Sequence, residues 1–86
     1  MWVQQKEYGD VGAILARARE RARLTQQQLA KLLRKPQSFV SNYERGQRRI
    51  DILELLRVVE VLGDNPVEIF REILKKKRTS PKLDKR

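Results

Sequence analysis

The 86-residue chain contains no cysteine and no histidine. Disulfides, thiolate nucleophiles, imidazole bases and the two commonest zinc ligands are thereby absent together, which removes His-assisted and metal-centred catalysis. Neither a metal nor a cofactor is expected. Aromatic residues make up only 6% of the chain, so rows of stacked single-strand bases would find few platforms. No apolar run approaches the roughly 20 residues of a membrane-spanning helix. Residues 1–10 also lack the apolar stretch of a secretory signal, and a cytoplasmic location is expected. A chain this short makes one domain at most, with a single core and a large solvated surface.

What is abundant is positive charge. Twenty Lys and Arg face eleven Asp and Glu, a formal net charge of +9 with a sequence pI near 10.5, which favours an anionic partner. The charge is segregated. Residues 14–49 carry ten basic and two acidic side chains, a net of +8, whereas residues 50–74 carry a net of −4. The last twelve residues return to +6, and the first thirteen hold −1. A solubility device would mix its signs, so segregation favours a binding face. The final run, Lys75-Lys76-Lys77-Arg78 followed by Thr79-Ser80-Pro81, reads instead as a frayed helix end and a tail.

Apolar residues recur at helical spacing, and no Asn-Gly or Asp-Gly hairpin signal is present. An all-α fold of five helices is expected. The first runs from about residue 8 or 10 to 22, with Val11, Ile14, Leu15 and Ala18 as its stripe. Thr25 and Gln28 form a capping box for the second, which ends near Leu33, with Leu24 and Leu29 as a hydrophobic staple. Pro36 closes that helix and opens the third, which stops at Gly46. Asp51 and Glu54 cap the fourth, whose positions Ile52, Leu55, Leu56, Val59 and Leu62 are expected to face the core. Asn65, Pro66 and Glu68 open the fifth, with Val67, Phe70, Ile73 and Leu74 as its stripe and Ile69 widening it. The expected organisation is an arm over residues 1–7, a helical domain over 8–74 and a basic tail over 75–86.

Helices two and three are too short to be stable alone. Packed across the tight turn Leu33-Arg34-Lys35-Pro36 they make a helix-turn-helix, in which the second helix can enter a DNA major groove. The stretches Leu24-Thr25-Gln26-Gln27-Gln28-Leu29-Ala30 and Pro36-Gln37-Ser38-Phe39-Val40-Ser41-Asn42-Tyr43-Glu44-Arg45-Gly46 strongly resemble the lambda-repressor-like family, the Cro and xenobiotic-response-element type. The resemblance extends from about Val11 to Phe70. It implies a compact five-helix domain with the helix-turn-helix at helices two and three. It also implies a sequence-specific regulator of transcription on double-stranded DNA, a repressor acting as a homodimer on a near-palindromic operator. Recognition helices would then lie about one DNA turn apart, roughly 34 Å, and the protein would be nucleoid-associated when bound.

On helix three, Gln37, Ser38, Ser41, Asn42 and Arg45 share one face, opposite Val40 and Tyr43. Amides and hydroxyls there suit base edges, and Gln and Asn suit adenine N6 and N7. An ordinary solvated helix face would also be polar, but the flanking cations and the resemblance favour base readout by Gln37, Ser38, Ser41 and Asn42. Phe39 borders both faces and is expected to pack mainly, with contact to a base as its second duty. Phosphate contacts are expected from Gln26 at a helix N-terminus, Arg34 and Lys35 in the turn, and Arg45, Gln47, Arg48 and Arg49 after helix three. The resemblance further implies that Gln26 braces Gln37 and that Arg19 and Glu44 form a structural ion pair. Phe70, Ile69, Ile73 and Leu74 are expected to serve dimerisation. Trp2 is expected to pack back on the domain.

Three positions depart from the family pattern. Arg34-Lys35 replaces a small-residue turn, Pro36 stands where Ser or Thr usually caps, and Arg23 replaces a glycine at the end of helix one. A competing reading is a protein-interaction module, an antitoxin or adaptor, whose basic tail docks on RNA or another acidic partner. An enzyme has little support, since no nucleophile and base, metal cluster or phosphate-cradling glycine loop is present.

Overall fold

Thr25 and Asp51 each stand at the start of a helix and satisfy its free backbone donors by the same reciprocal device. In the computed structural model, which describes residues 5–78, the Gln28 N–H donates to the Thr25 hydroxyl at 3.1 Å and the Thr25 N–H donates to the Gln28 side chain at 2.9 Å. Glu54 and Asp51 exchange the same pair of bonds at 2.8 and 3.0 Å. Each such start is worth about 1 kcal/mol, which matters for helices too short to stand alone. The helices are α1 (Gln5–Arg21), α2 (Gln26–Leu33), α3 (Gln37–Glu44), α4 (Ile52–Leu62) and α5 (Pro66–Arg78). Among the described residues there is no strand.

The start of α5 differs from expectation. Asn65 caps the helix, its Oδ1 accepting from the N–H groups of Val67 and Glu68 at 2.8 and 3.3 Å. Its own N–H, however, donates to the neighbouring Asp64 carboxylate at 2.7 Å, so Asp64 takes the place expected of Glu68. That bond, helped by Arg21, holds the Asp64 pKa below its usual value.

Helix α1 also starts earlier than the expected residue 8 or 10, at Gln5, inside the expected arm. Tertiary contacts hold this extra turn. Gln5 Nε2 donates to the Gly46 carbonyl at 3.3 Å, and Glu7 receives Lys77 Nζ at 2.8 Å. Since α5 runs on to Arg78, the basic run at residues 75–78 is helical. Trp2 and residues 79–86 of the tail lie outside the described residues.

The core is built from Ile14, Leu15 and Ala18 of α1, Leu29 and Ala30 of α2, Val40 and Tyr43 of α3, Leu55, Val58 and Val59 of α4, and Ile69 of α5. Two expected stripes are rotated. On α4, Val58 is buried while Ile52 and Leu56 are 62% and 42% exposed. On α5, Ile69 is fully buried and Ile73 packs against the core, leaving Val67, Phe70 and Leu74 outside. Helix α4 is apolar on nearly every side, and the apolar side of α5 carries five residues, so periodicity admits more than one inward direction. Packing against α1 and α2 selects among them.

One glycine brings α3 onto α1. Gly12 is buried, and a Cβ there would overlap the carbonyl oxygens of Tyr43 and Glu44, so only glycine lets α3 approach this closely. The turn between α2 and α3 uses no glycine at all. Arg34 takes the left-handed conformation with φ 59°, its N–H returning to the last carbonyls of α2, and Pro36 then sets an extended residue before α3. Arg23, at the end of α1, is likewise left-handed with φ 61°. A side chain in that conformation costs on the order of 1 kcal/mol. These are the two positions where arginine departs from the family's small residues.

Candidate nucleic-acid interface

Helix α3 is held from below by apolar burial and from one side by a buried ion pair. Val40 and Tyr43 are enclosed, and the Tyr43 hydroxyl has no hydrogen-bond partner among the described residues. Burial pushes its pKa well above the usual tyrosine range. At the end of α3, Glu44 receives two bonds from Arg19 of α1, Nε to Oε2 at 2.8 Å and Nη2 to Oε1 at 3.1 Å. The remaining Arg19 nitrogen donates to the Leu24 carbonyl at 2.8 Å, tying the α1–α2 loop to the same point. The pair is 13% and 5% exposed, so it is desolvated and bidentate, the geometry in which an arginine–carboxylate contact is strong. The ion pair implied by the resemblance is present.

The network continues outward. Gln26, the first residue of α2, donates from Nε2 to Glu44 Oε1 at 2.8 Å, and Gln37, the first residue of α3, donates from Nε2 to Gln26 Oε1 at 3.4 Å. The bracing of Gln37 by Gln26 is therefore seen directly. Gln37 and Ser38 are exposed, and Ser41 and Asn42 half-buried, along the side of α3 opposite Val40 and Tyr43. Ser41 Oγ donates to the Ser38 carbonyl at 3.4 Å, and Arg45 donates to Asn42 Oδ1 at 3.1 Å.

Phe39 sits between core and surface, as expected of a residue with two duties. Its ring meets Tyr43 edge-on with centroids 5.4 Å apart, and the cations of Lys35 and Arg48 lie 5.4 and 4.6 Å from its centre. Each such contact is worth on the order of 0.5 kcal/mol at an exposed site. Together they draw the α2–α3 turn and the loop after α3 to one aromatic ring.

Among the residues expected to contact phosphate, one cation has a bidentate partner within the domain. Arg34, Lys35, Arg45, Gln47 and Arg49 are exposed. Arg49 also lies 5.7 Å over the Tyr8 ring of α1. Arg48 is different: both its terminal nitrogens donate to Glu54, at 3.0 and 2.9 Å, and one also reaches the Arg49 carbonyl at 2.6 Å. Arg48 is a staple between the loop and α4, because a carboxylate that already closes the α4 cap offers it a fixed bidentate partner. The Glu54 carboxyl is pulled down to about 2 by the Arg48 hydrogen bonds first and the Asp51 N–H second. The sequence held a signal for this in an acid six residues beyond a basic loop residue, but Glu54 had already been accounted for as a cap. Gly12 was missed for a different reason: the requirement for it lies on another helix.

Ile69 is likewise removed from the surface positions expected for dimerisation, because it fills the core beneath α5. Phe70 and Leu74 remain exposed at 54% and 39%, Ile73 is half-buried, and α4 adds Ile52, Leu53 and Leu56 to the exposed apolar set. No group of His, Cys, Asp or Glu among the described residues is arranged to hold a metal ion. No helix among them is long and apolar enough to cross a membrane.

Five helices in this order, with two short ones joined by a tight turn and the second presenting polar side chains, define a helix-turn-helix domain. The helix-turn-helix family model matches residues 15–70, and the chain belongs to that family, in its lambda-repressor and XRE branch. Among solved structures it is similar to an XRE-family like protein from Pseudomonas syringae pv. tomato str. DC3000, at 32% identity and TM-score 0.73 over 83% of this chain and 87% of that one. It is also similar to the clp gene regulator ClgR from C. glutamicum, at 25% identity and TM-score 0.74 over 80% of this chain and 88% of that one. No curated protein matches the chain. Membership of that family makes it a DNA-binding transcription regulator, whose partner is double-stranded DNA.

Proposed function

We propose that the protein is a sequence-specific repressor that binds a near-palindromic operator as a homodimer, in the cytoplasm where its DNA partner resides. The observation that carries this reading is the uncharged polar face of α3, Gln37, Ser38, Ser41 and Asn42, fixed on a frame of buried side chains and a desolvated ion pair. Amides and hydroxyls on a rigid helix discriminate base edges, whereas mobile cations bind phosphate without regard to sequence. Phe39 adds a ring at the border of that face. Gln26, Arg34, Lys35, Arg45, Gln47 and Arg49 contact phosphates, and Arg48 holds the loop that presents its neighbours.

Two exposed apolar stripes support the dimer, one with Ile52, Leu53 and Leu56 on α4 and one with Val67, Phe70 and Leu74 on α5. Side chains of this size are left outside a small domain where another surface covers them. Repression requires only occupancy, since a domain seated in the major groove excludes other proteins from the same base edges. The test is selection of preferred duplexes from a random library at about 150 mM salt, for the native chain and two pairs of variants. Gln37→Ala and Asn42→Ala relax preference at defined positions, while Arg34→Ala and Lys35→Ala weaken binding evenly and flatten the salt slope. Equal preference for all duplexes by the native chain would overturn the reading and leave a protein-interaction module in its place.

A further inference from the structure

We propose that the cleft between α1 and α5 docks an acidic peptide segment of a partner protein, through Arg17 and Lys75, while α3 stays free for DNA. On α1, α4 and α5, the cations of Lys6, Arg19, Arg21, Arg57, Arg71 and Lys77 each stand within 4.0 Å of a carboxylate. Arg17 and Lys75, both exposed, have no such partner among the described residues. They meet at one place, a cleft of about 280 Å³ that they line together with Ile14, Glu72 and Lys76. Glu72, the acid in the cleft, lies 3.8 Å from Arg21, which also holds Asp64 at 3.1 Å. Its charge is thus answered from within the domain, and Arg17 and Lys75 are left uncompensated.

Helical spacing puts the cleft away from both surfaces described above. Gly12 and Arg19 turn toward α3, and Arg17 lies roughly 140° or more around α1 from each of them. On α5, Val67, Phe70 and Leu74 share one flank, whereas Glu72, Lys75 and Lys76 follow the i, i+3, i+4 spacing of the other. A duplex on α3 and a second copy on the apolar flank of α5 therefore both leave the cleft open.

Charge complementarity selects an anion, and the rest of the cleft selects its form. Being open to solvent and below the roughly 300 Å³ of the smallest small-molecule sites, it suits one or two side chains better than an enclosed ligand. Ile14 at its base and the aliphatic stems of Arg17, Lys75 and Lys76 give an apolar side chain a place to rest. Glu72 in the same cleft opposes a continuous row of phosphates, as in a nucleic acid. A peptide can set carboxylates beside Arg17 and Lys75 and an uncharged residue beside Glu72. The fitting partner is a short segment in which Asp or Glu side chains flank an apolar one.

The immobilised full-length chain is offered a displayed random library of peptides of about 12 residues, at about 150 mM salt. Retained peptides are expected to carry paired carboxylates beside an apolar residue. Their affinity is then measured by fluorescence anisotropy for the native chain and for two double variants of equal net charge, each shown to be folded by thermal melting. Arg17→Gln with Lys75→Gln is expected to weaken the peptide roughly tenfold, the sum of two modest ion pairs, and to leave binding to the selected duplex within about twofold. Arg34→Gln with Lys35→Gln, in the turn before α3, leaves the peptide bound. Equal loss in both variants means attraction to a basic protein in general, and a peptide that neither variant weakens binds elsewhere; either result overturns the proposal, as does a library that yields no acidic peptide. Binding of single-stranded RNA or of phosphatidylglycerol vesicles that depends on Arg17 and Lys75, with no acidic peptide retained, gives the cleft a different occupant and overturns it as well.

Discussion

The α2–α3 half and the α4–α5 half are both built from short capped helices, yet they present opposite surfaces. On α3 the exposed side chains are polar and the structure beneath them is over-determined by Gly12, by Val40 and Tyr43, and by Arg19 with Glu44. On α4 and α5 the exposed side chains include six large apolar ones, and the capping bonds at the helix starts do nothing to cover them. Rigidity under a polar face serves recognition, because hydrogen bonds discriminate only when their donors and acceptors are held in place. An uncovered apolar face serves association, which needs area more than orientation. Arg48 and Glu54 join the halves, with the Phe39 ring between the loop and the turn.

The comparison breaks most severely at Gly12. Gly12→Ala places a methyl group against the carbonyls of α3, and it is expected to cost about 3 kcal/mol or more in urea unfolding, with operator binding lost as the frame separates. Next comes Glu44→Ala, which strands the largely buried Arg19 guanidinium. About 3 kcal/mol is expected, a folding defect that would masquerade as a binding defect if stability were not measured beside affinity.

The apolar half should respond in the opposite manner. Leu56→Lys with Phe70→Lys alters side chains that are 42% and 54% exposed, so the stability of the monomer is expected to change by no more than about 0.5 kcal/mol per site. Operator affinity is nonetheless expected to fall at least about tenfold as two-site binding is lost. Light scattering that finds the native chain monomeric even with operator would remove the dimer from the reading.

The smallest effect lies at the joint. The Glu54 carboxyl is held at about 2, below its ordinary 4.5, so the unfolded chain binds the extra proton between those values. Its contribution to stability is full above the ordinary value and is lost as the pH falls through about 2. The native chain should therefore exceed Glu54→Gln by a constant margin near neutral pH, and the margin should close in acid. With both side chains partly exposed, at 38% and 27%, that margin is expected to stay under about 1 kcal/mol.

Local chemistry made much of this protein readable from its residues alone. Helix starts at Thr25, Asp51 and Asn65 depend on side chains within three residues of the backbone groups they satisfy, and the polar face of α3 depends only on helical spacing. The family motif at residues 24–46 added the Arg19–Glu44 pair, a contact between distant segments that no spacing rule supplies. The early start of α1 was hidden because Gln5 and Glu7 are held by Gly46 and Lys77, far away in sequence.

The remaining choices belong to the tertiary structure. Helix α4 is apolar on nearly every side and α5 carries five apolar residues on one broad side, so nothing local told Val58 and Ile69 from Ile52 and Phe70 as the inward residues. Packing against α1 and α2 decided it. Arg48 is held by Glu54 through an ion-pair geometry that exists only once α4 is docked. Residues fixed by their neighbours in sequence were determined by the sequence itself, whereas those fixed by neighbours in space awaited the fold.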